Sequence, residues 1–204
     1  CGAKPVTALV SIDDPYRFFG TVLLETLAAG GIDASAEIAV AERAPPGTRV
    51  DSYESDLAST IQVCLTVSQN FYAENLLRTL GRQIKGTGTR ENGLAVVREF
   101  LQGAAIAEYE QADGSGLTPG NRMSARDLVR LLRHMRGHRH AKVFRDALAV
   151  NGASTGTLRK RMTSKDLLGR VHAKTGHIRG VATLSGYLDT LAGDTVVFRI
   201  LAND

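Results

Sequence analysis

The sequence predicts an α+β fold in which helices pack on an antiparallel sheet. Apolar residues recur at helical spacing from about residue 13 to 150, and β-branched runs separated by short turns fill about 170–202. Such segregation of helices and strands along a chain favours α+β over alternating architectures. The 204 residues are 43% hydrophobic and 23% charged, enough for one large domain with a real core. Aromatic residues are only 5% and Trp is absent, so Leu, Val, Ile and Ala must fill that core.

In chain order, Pro5–Ser11 is β-branched and apolar and reads as a strand placed to join the C-terminal ones. Asp14-Pro15 reads as a helix cap and first helical residue, followed by Phe18, Phe19, Val22, Leu23 and Leu27 at helical spacing up to Gly30-Gly31. Ala36–Val40 reads as a short strand and Ala44–Thr48 as a loop. Asp56–Leu65 is helical, with Leu57, Ile61, Cys64 and Leu65 on one face, and Val67–Asn70 interrupts it. A second amphipathic helix opens at Phe71 and is expected to close at Gly81. Asn92–Leu101 follows, with Gly103 as its stop. Asp113–Leu117 is a Gly-rich turn, Ser124 caps the helix carrying Leu128, Leu131, Leu132 and Met135, and a short helix spans about Ala141–Leu148. After the loop Asn151–Thr157 come three strands: Val171–Lys174, Val181–Leu188 and Val196–Leu201. There is no internal repeat.

Composition narrows the function classes. No run approaches the roughly 20 apolar residues of a transmembrane helix, and no signal-peptide pattern opens the chain. The start at Cys1 reads as mid-chain, with a lipid-modified Cys1 as the alternative. Cys1 and Cys64 have no metal-ligand spacing, and Cys64 falls among core positions. A net charge of +4 favours anionic partners mildly. The cations from Arg130 to Arg145 lack interleaved aromatics and read as a solvated face, so no nucleic-acid partner is expected. His134 and His138 are four apart but lack a His-Glu-x-x-His pattern, and Asp113–Gly116 lacks the distal acid of a calcium loop. No metal or other cofactor is expected.

Two stretches carry candidate chemistry. In Ser68-Gln69-Asn70 a hydroxyl and an amide two residues apart, at a helix junction, can point into one cleft; the plainer reading is a helix cap at Ser68 or Asn70. In Lys174-Thr175-Gly176 a strand-borne cation can hold a carboxylate or activate a hydroxyl, and Gly176 lets a ligand approach the backbone. The plainer reading there is a solvated edge lysine. Ser-x-Asn followed far downstream by Lys-Thr-Gly makes two members of a known three-member set, the third being Ser-x-x-Lys.

Four segments, Ser68–Gly81, Asp113–Leu117, Thr155–Arg161 and Val171–Val181, together resemble the D-alanyl-D-alanine carboxypeptidase/endopeptidase group, the class C low-molecular-mass penicillin-binding proteins. The resemblance runs from about Asp13 to Leu201. It implies that residues 1–204 are the C-terminal portion of a penicillin-binding, β-lactamase-like transpeptidase domain. It implies a serine peptidase acting on peptidoglycan stem peptides through an acyl-enzyme, acylated by β-lactams, and located in the periplasm or at the cell envelope. By motif, Ser68, Asn70 and Lys174 would be catalytic. Ser68 would join the proton relay, Asn70 would hold the substrate amide, and Lys174 would bind the substrate carboxylate through Thr175. Gly176 and His177 would line the strand edge, the His177 N–H completing the oxyanion hole. Leu117 would line the pocket. The sequence departs from the family in three ways. No Ser-x-x-Lys occurs, so the nucleophile is expected upstream of Cys1, in an N-terminal portion that would be a partner of this one; the isolated chain would then be inactive. Gln69 replaces the commoner Asp or Asn, and His177 replaces a small residue. The rival class is a non-catalytic wall-binding domain that kept the cleft and lost the serine.

Overall fold

A computed structural model of the chain describes residues 12–34, 36–40, 46–49 and 51–203. Residues up to Tyr53 group as one unit and those from Glu54 as another. In the first, helix α1 (Pro15–Ala29) starts where Asp14 accepts a hydrogen bond from the Arg17 N–H at 2.9 Å. Gly20 on α1 faces Ile38, whose methyl would lie 2.9 Å from an added Cβ. The strand expected at Pro5–Ser11 lies outside the described residues. Ala36–Val40 is not a strand: among the described residues no neighbour pairs with it, and an extended run without a ladder is not a sheet element.

The second unit holds α2 (Leu57–Thr66), α3 (Asn70–Lys85), α4 (Arg90–Gly103), α5 (Ala125–Arg136) and α6 (Ala141–Ala147). Short strands β1 (Tyr109–Glu110) and β2 (Arg122–Met123) pair with each other. The main sheet has the antiparallel order β3-β4-β5-β6, from β3 (Ala149–Val150), β4 (Val171–Ile178), β5 (Val181–Asp189) and β6 (Thr195–Asn203). The side chains of Asp56, Thr89 and Ser124 cap the starts of α2, α4 and α5, accepting from the Ser59, Asn92 and Asp127 N–H groups. α3 does not stop at Gly81 as expected. It runs to Lys85 and ends at Gly86, whose φ of 85° is the left-handed conformation of a helix C-terminus. Gly81 serves packing instead: an added Cβ would meet the Gly93 nitrogen of α4 at 2.8 Å, and a Cβ at Gly93 would overlap the Leu77 carbonyl. The two helices thus approach to backbone contact.

Both faces of the sheet carry core. On one, Val171, Ala173 and Leu184 pack with Ala149 and Leu158, and Met162, Leu188 and Phe198 border them. On the other, Tyr187 packs with Leu132 of α5 and Leu148, and its hydroxyl donates to the Leu132 carbonyl at 2.7 Å. Burial pushes the Tyr187 hydroxyl up to about 12. The long segment between β3 and β4 is pinned by buried Asn151, whose amide donates to the Met162 and Leu167 carbonyls at 2.7 and 2.9 Å and accepts from the Val171 N–H at 2.9 Å. Leu57, expected on one face with Ile61, Cys64 and Leu65, is 62% exposed at the start of α2, whereas Cys64 is buried. Arg145 is not simply solvated: it pairs with Asp189 and lies 6.0 Å from the Tyr187 ring centre.

Candidate active site

α2 ends in a Schellman turn: the Gln69 N–H reaches back to the Cys64 carbonyl at 3.0 Å, with Ser68 between them at φ 61°. Glycine usually takes that position; here a serine does, at a cost of about 1 kcal/mol. The turn aims the Ser68 hydroxyl at the sheet. The cap of α3 is neither Ser68 nor Asn70 but Gln69, whose side chain accepts from the Phe71 N–H at 3.4 Å. Asn70 is the first residue of α3.

Across the interface, β4 presents Lys174. Its ammonium donates to Ser68 Oγ at 2.6 Å and to the Thr175 carbonyl at 2.5 Å. Burial lowers the lysine from its usual 10.5, because desolvation disfavours the cation, while the neighbouring Cys64 opposes the shift. The Cys64 thiol is pushed up by its own burial, against the pull of Lys174. Ser68, Asn70 and Lys174 line one cavity of about 280 Å³, with Cys64, Gly114 and Ser115.

The Gly-rich turn reaches this cavity because Glu74, one helical turn beyond Asn70 on α3, accepts from the Gly114 and Ser115 N–H groups at 2.9 and 3.0 Å. Gly114 packs on α3: an added Cβ would lie 2.7 Å from the Ala73 carbonyl. Both oxygens of buried Asp113 are consumed inside the turn, one accepting from the Gly116 N–H at 2.6 Å and Asn121 at 2.9 Å, the other from the Thr118 N–H at 2.8 Å and its hydroxyl. Although burial opposes it, these bonds hold Asp113 below its ordinary 3.8. Sequence reasoning missed Glu74, whose one signal is its i,i+4 spacing from Asn70 along α3.

The remaining expected site residues are elsewhere. Gly176 and His177 line a second cavity of about 760 Å³, bounded by α4, α5, the β1-β2 pair and the sheet. Thr175 pairs in register with Leu184, so strand alternation puts it on the opposite face from Lys174. Leu117 is 54% exposed and borders neither cavity. His134 and His138 pack around Phe100, with ring centres 5.5 and 6.4 Å from it.

Comparison with known proteins shows which family the chain resembles. The chain is 32% identical over 98% of its length to a D-alanyl-D-alanine carboxypeptidase of Actinomadura sp. (strain R39), covering 39% of that protein. It is 31% identical over 96% of its length to a penicillin-sensitive carboxypeptidase A of Dictyostelium discoideum, covering 40% of it. The chain therefore spans about two fifths of the curated relatives it matches. Among solved structures, penicillin binding protein 4 of Haemophilus influenzae superposes with a TM-score of 0.83 at 22% identity, over 95% of this chain and 44% of that one, which shows a shared fold. With the D-Ala-D-Ala carboxypeptidase 3 (S13) family model matching residues 2–204, the chain belongs to that family.

Proposed function

We propose that this chain supplies the Ser-x-Asn and Lys-Thr-Gly walls of a serine D-Ala-D-Ala carboxypeptidase/endopeptidase that acts on peptidoglycan stem peptides at the cell envelope. The observation that carries this is the 2.6 Å hydrogen bond between Lys174 and Ser68, residues 106 apart in sequence, inside a cavity that Asn70 shares. A nucleophilic serine from a Ser-x-x-Lys motif, which these 204 residues do not contain, attacks the penultimate D-Ala carbonyl and forms an acyl-enzyme. The terminal amine leaves, and water releases the acyl group. β-Lactams acylate the same serine.

Lys174 already donates to Ser68 Oγ, so the Ser68 proton is free to point into the cavity. Ser68 passes that proton to the leaving amine and regains one from the relay, while the adjacent ammonium steadies the oxygen as its proton departs. Asn70 holds the substrate amide. Thr175 contacts the substrate carboxylate and the His177 N–H completes the oxyanion hole; Leu117, which borders neither cavity, is given no part.

In a protein carrying these residues together with the Ser-x-x-Lys segment, Lys174→Ala is expected to abolish covalent labelling by a fluorescent penicillin while circular dichroism and the unfolding midpoint stay near wild type. The 204 residues alone are expected to show no adduct by intact mass. Undiminished labelling of the Lys174→Ala variant would sink the assignment. A wild-type protein that binds wall fragments but never acquires the label would be the non-catalytic wall-binding domain instead.

A further inference from the structure

The Thr155–Arg161 segment carries part of the family resemblance but has no role in the chemistry proposed above. It meets α2 two residues before Ser68. The Thr66 carbonyl is one of the last of α2, where carbonyls have no partner within the helix, and it accepts from the Thr157 N–H at 3.1 Å. The Thr66 hydroxyl donates to the carbonyl of Ala147, the last residue of α6, at 2.8 Å. Thr66 is thus held from two sides by chain far away in sequence. Gly156 permits the close approach. At its φ of 92°, an added Cβ would lie 2.9 Å from the Thr66 methyl and 3.1 Å from the Thr66 carbonyl oxygen.

Both partners of Thr66 are fixed to the sheet. Ala147 lies just before Ala149 of β3, which is in register with Ala173 of β4, the neighbour of Lys174. Leu158, next to Thr157, is fully buried in the same cluster as Ala149 and Ala173, and its carbonyl accepts from the Gly152 N–H at 3.3 Å. A path runs from Ser68 back to Thr66, across to Ala147, and through β3 and β4 to Lys174. Every link is a hydrogen bond, a strand pair or a short run of chain. Ser68 and Lys174 close this frame with their own hydrogen bond at 2.6 Å. A left-handed φ such as the 61° of Ser68 persists where the surroundings over-determine it, and Thr66 is where they grip the turn.

We infer that Thr66 is a positioning residue: it fixes the Ser68 turn to the strands that carry Lys174 and so sets the Ser68 hydroxyl against the Lys174 ammonium. This rests on the peptidase reading above and gives the Thr155–Arg161 segment its part in it, as the clamp on the Thr66 carbonyl. Thr66 itself lies outside the lining of the cavity that Ser68 and Lys174 share, so it acts through Ser68 and not on the substrate.

The test uses the longer protein that carries the Ser-x-x-Lys segment. Time courses of labelling by a fluorescent penicillin give two quantities. The amplitude counts folded sites, and the rate constant reports how each site is arranged. Thr66→Val keeps the side-chain shape and removes the donor, while Thr66→Ser keeps the donor. Thr66→Val is expected to lower the acylation rate constant about tenfold at near-wild-type amplitude, short of the roughly 100-fold that a 1 Å misplacement of a reacting group can cost. Thr66→Ser is expected to stay near wild type. A Thr66→Val variant with lowered amplitude but an unchanged rate constant would reduce Thr66 to a stabilising contact and overturn the inference. So would a Thr66→Ser variant as slow as Thr66→Val, since the hydroxyl would then not be the agent. If Thr66→Val yields no folded protein, Gly156→Ala decides by the same two quantities, because its new methyl presses on Thr66. A slowed rate constant supports the inference and an unchanged one overturns it. Lys174→Ala is labelled in parallel. A wild type that never labels, or a Lys174→Ala variant that labels normally, would bring down the peptidase reading and this inference with it. An unlabelled Lys174→Ala beside a Thr66→Val of wild-type rate would bring down this inference alone.

Discussion

Ser68 shows how one residue joins backbone strain to chemistry. Its φ of 61° is a position that glycine fills at no steric cost, yet the side chain placed there is the one that Lys174 contacts at 2.6 Å. Strained backbone at a site of chemistry signals that the surrounding structure enforces it. The two contributions can be separated. Ser68→Ala and Ser68→Gly both remove the hydroxyl and its bond to Lys174, but only glycine relieves the left-handed backbone. Ser68→Gly is therefore expected to be more stable than Ser68→Ala by about 1 kcal/mol in urea denaturation, while both lose acylation alike in the longer protein. Equal stabilities would mean that the turn relaxes when the hydroxyl is gone.

At the scale of elements, the helical layer is held to the site by α3 and α4, which meet at Gly81 and Gly93. Exchanging a helix-interior glycine for alanine ordinarily stabilises by about 1 kcal/mol. At Gly93 the sign reverses, because the new methyl would overlap the Leu77 carbonyl, a backbone atom that cannot swing aside. Gly93→Ala is expected to cost about 2 kcal/mol, the middle of the range for overpacking, read as a lower urea midpoint. An unchanged midpoint would show that the pair can separate freely.

These elements also show what the sequence made legible. The caps at Asp14 and Ser124, the α2–α3 interruption and the long strands were readable because local chemistry determines them. Gly81 was misread as a stop because a glycine that ends a helix and one that admits a neighbour look alike until the neighbour is placed. Ser68, Asn70 and Lys174 were found by motif, and they do share a cavity. Glu74 carries no motif; its significance comes from a turn formed by residues far away in sequence. The short strands β1, β2 and β3 are two residues each, too brief to leave a periodic signal.

Across the whole second unit, the charged groups that join helices to sheet set its tolerance of acid. His172 of β4 lies in register with Tyr187, close to Arg145 and Asp146 of α6 and to Asp189 at the end of β5. Burial lowers its imidazole from the usual 6.5, the Arg145 charge adds to that, and Asp189 and Asp146 oppose it; Nδ1 is buried without a partner. The unfolded chain thus takes up a proton at this histidine near pH 6.5, and the folded chain only at lower pH. Between those values the unfolded state holds more protons, so stability falls as pH drops through that window. Asp113, Asp127 and Asp189 act in a second, lower window. Each is held below 3.8, so the stability they contribute is present above that value and is lost as pH falls through their folded values. Acid unfolding should therefore proceed in two stages, and His172→Gln should remove only the first. Urea midpoints at pH 7.5 and pH 5 test this. Wild type is expected to lose midpoint between them, and the His172→Gln variant to lose clearly less. An equal loss in both proteins would place the acid sensitivity in the carboxylates alone.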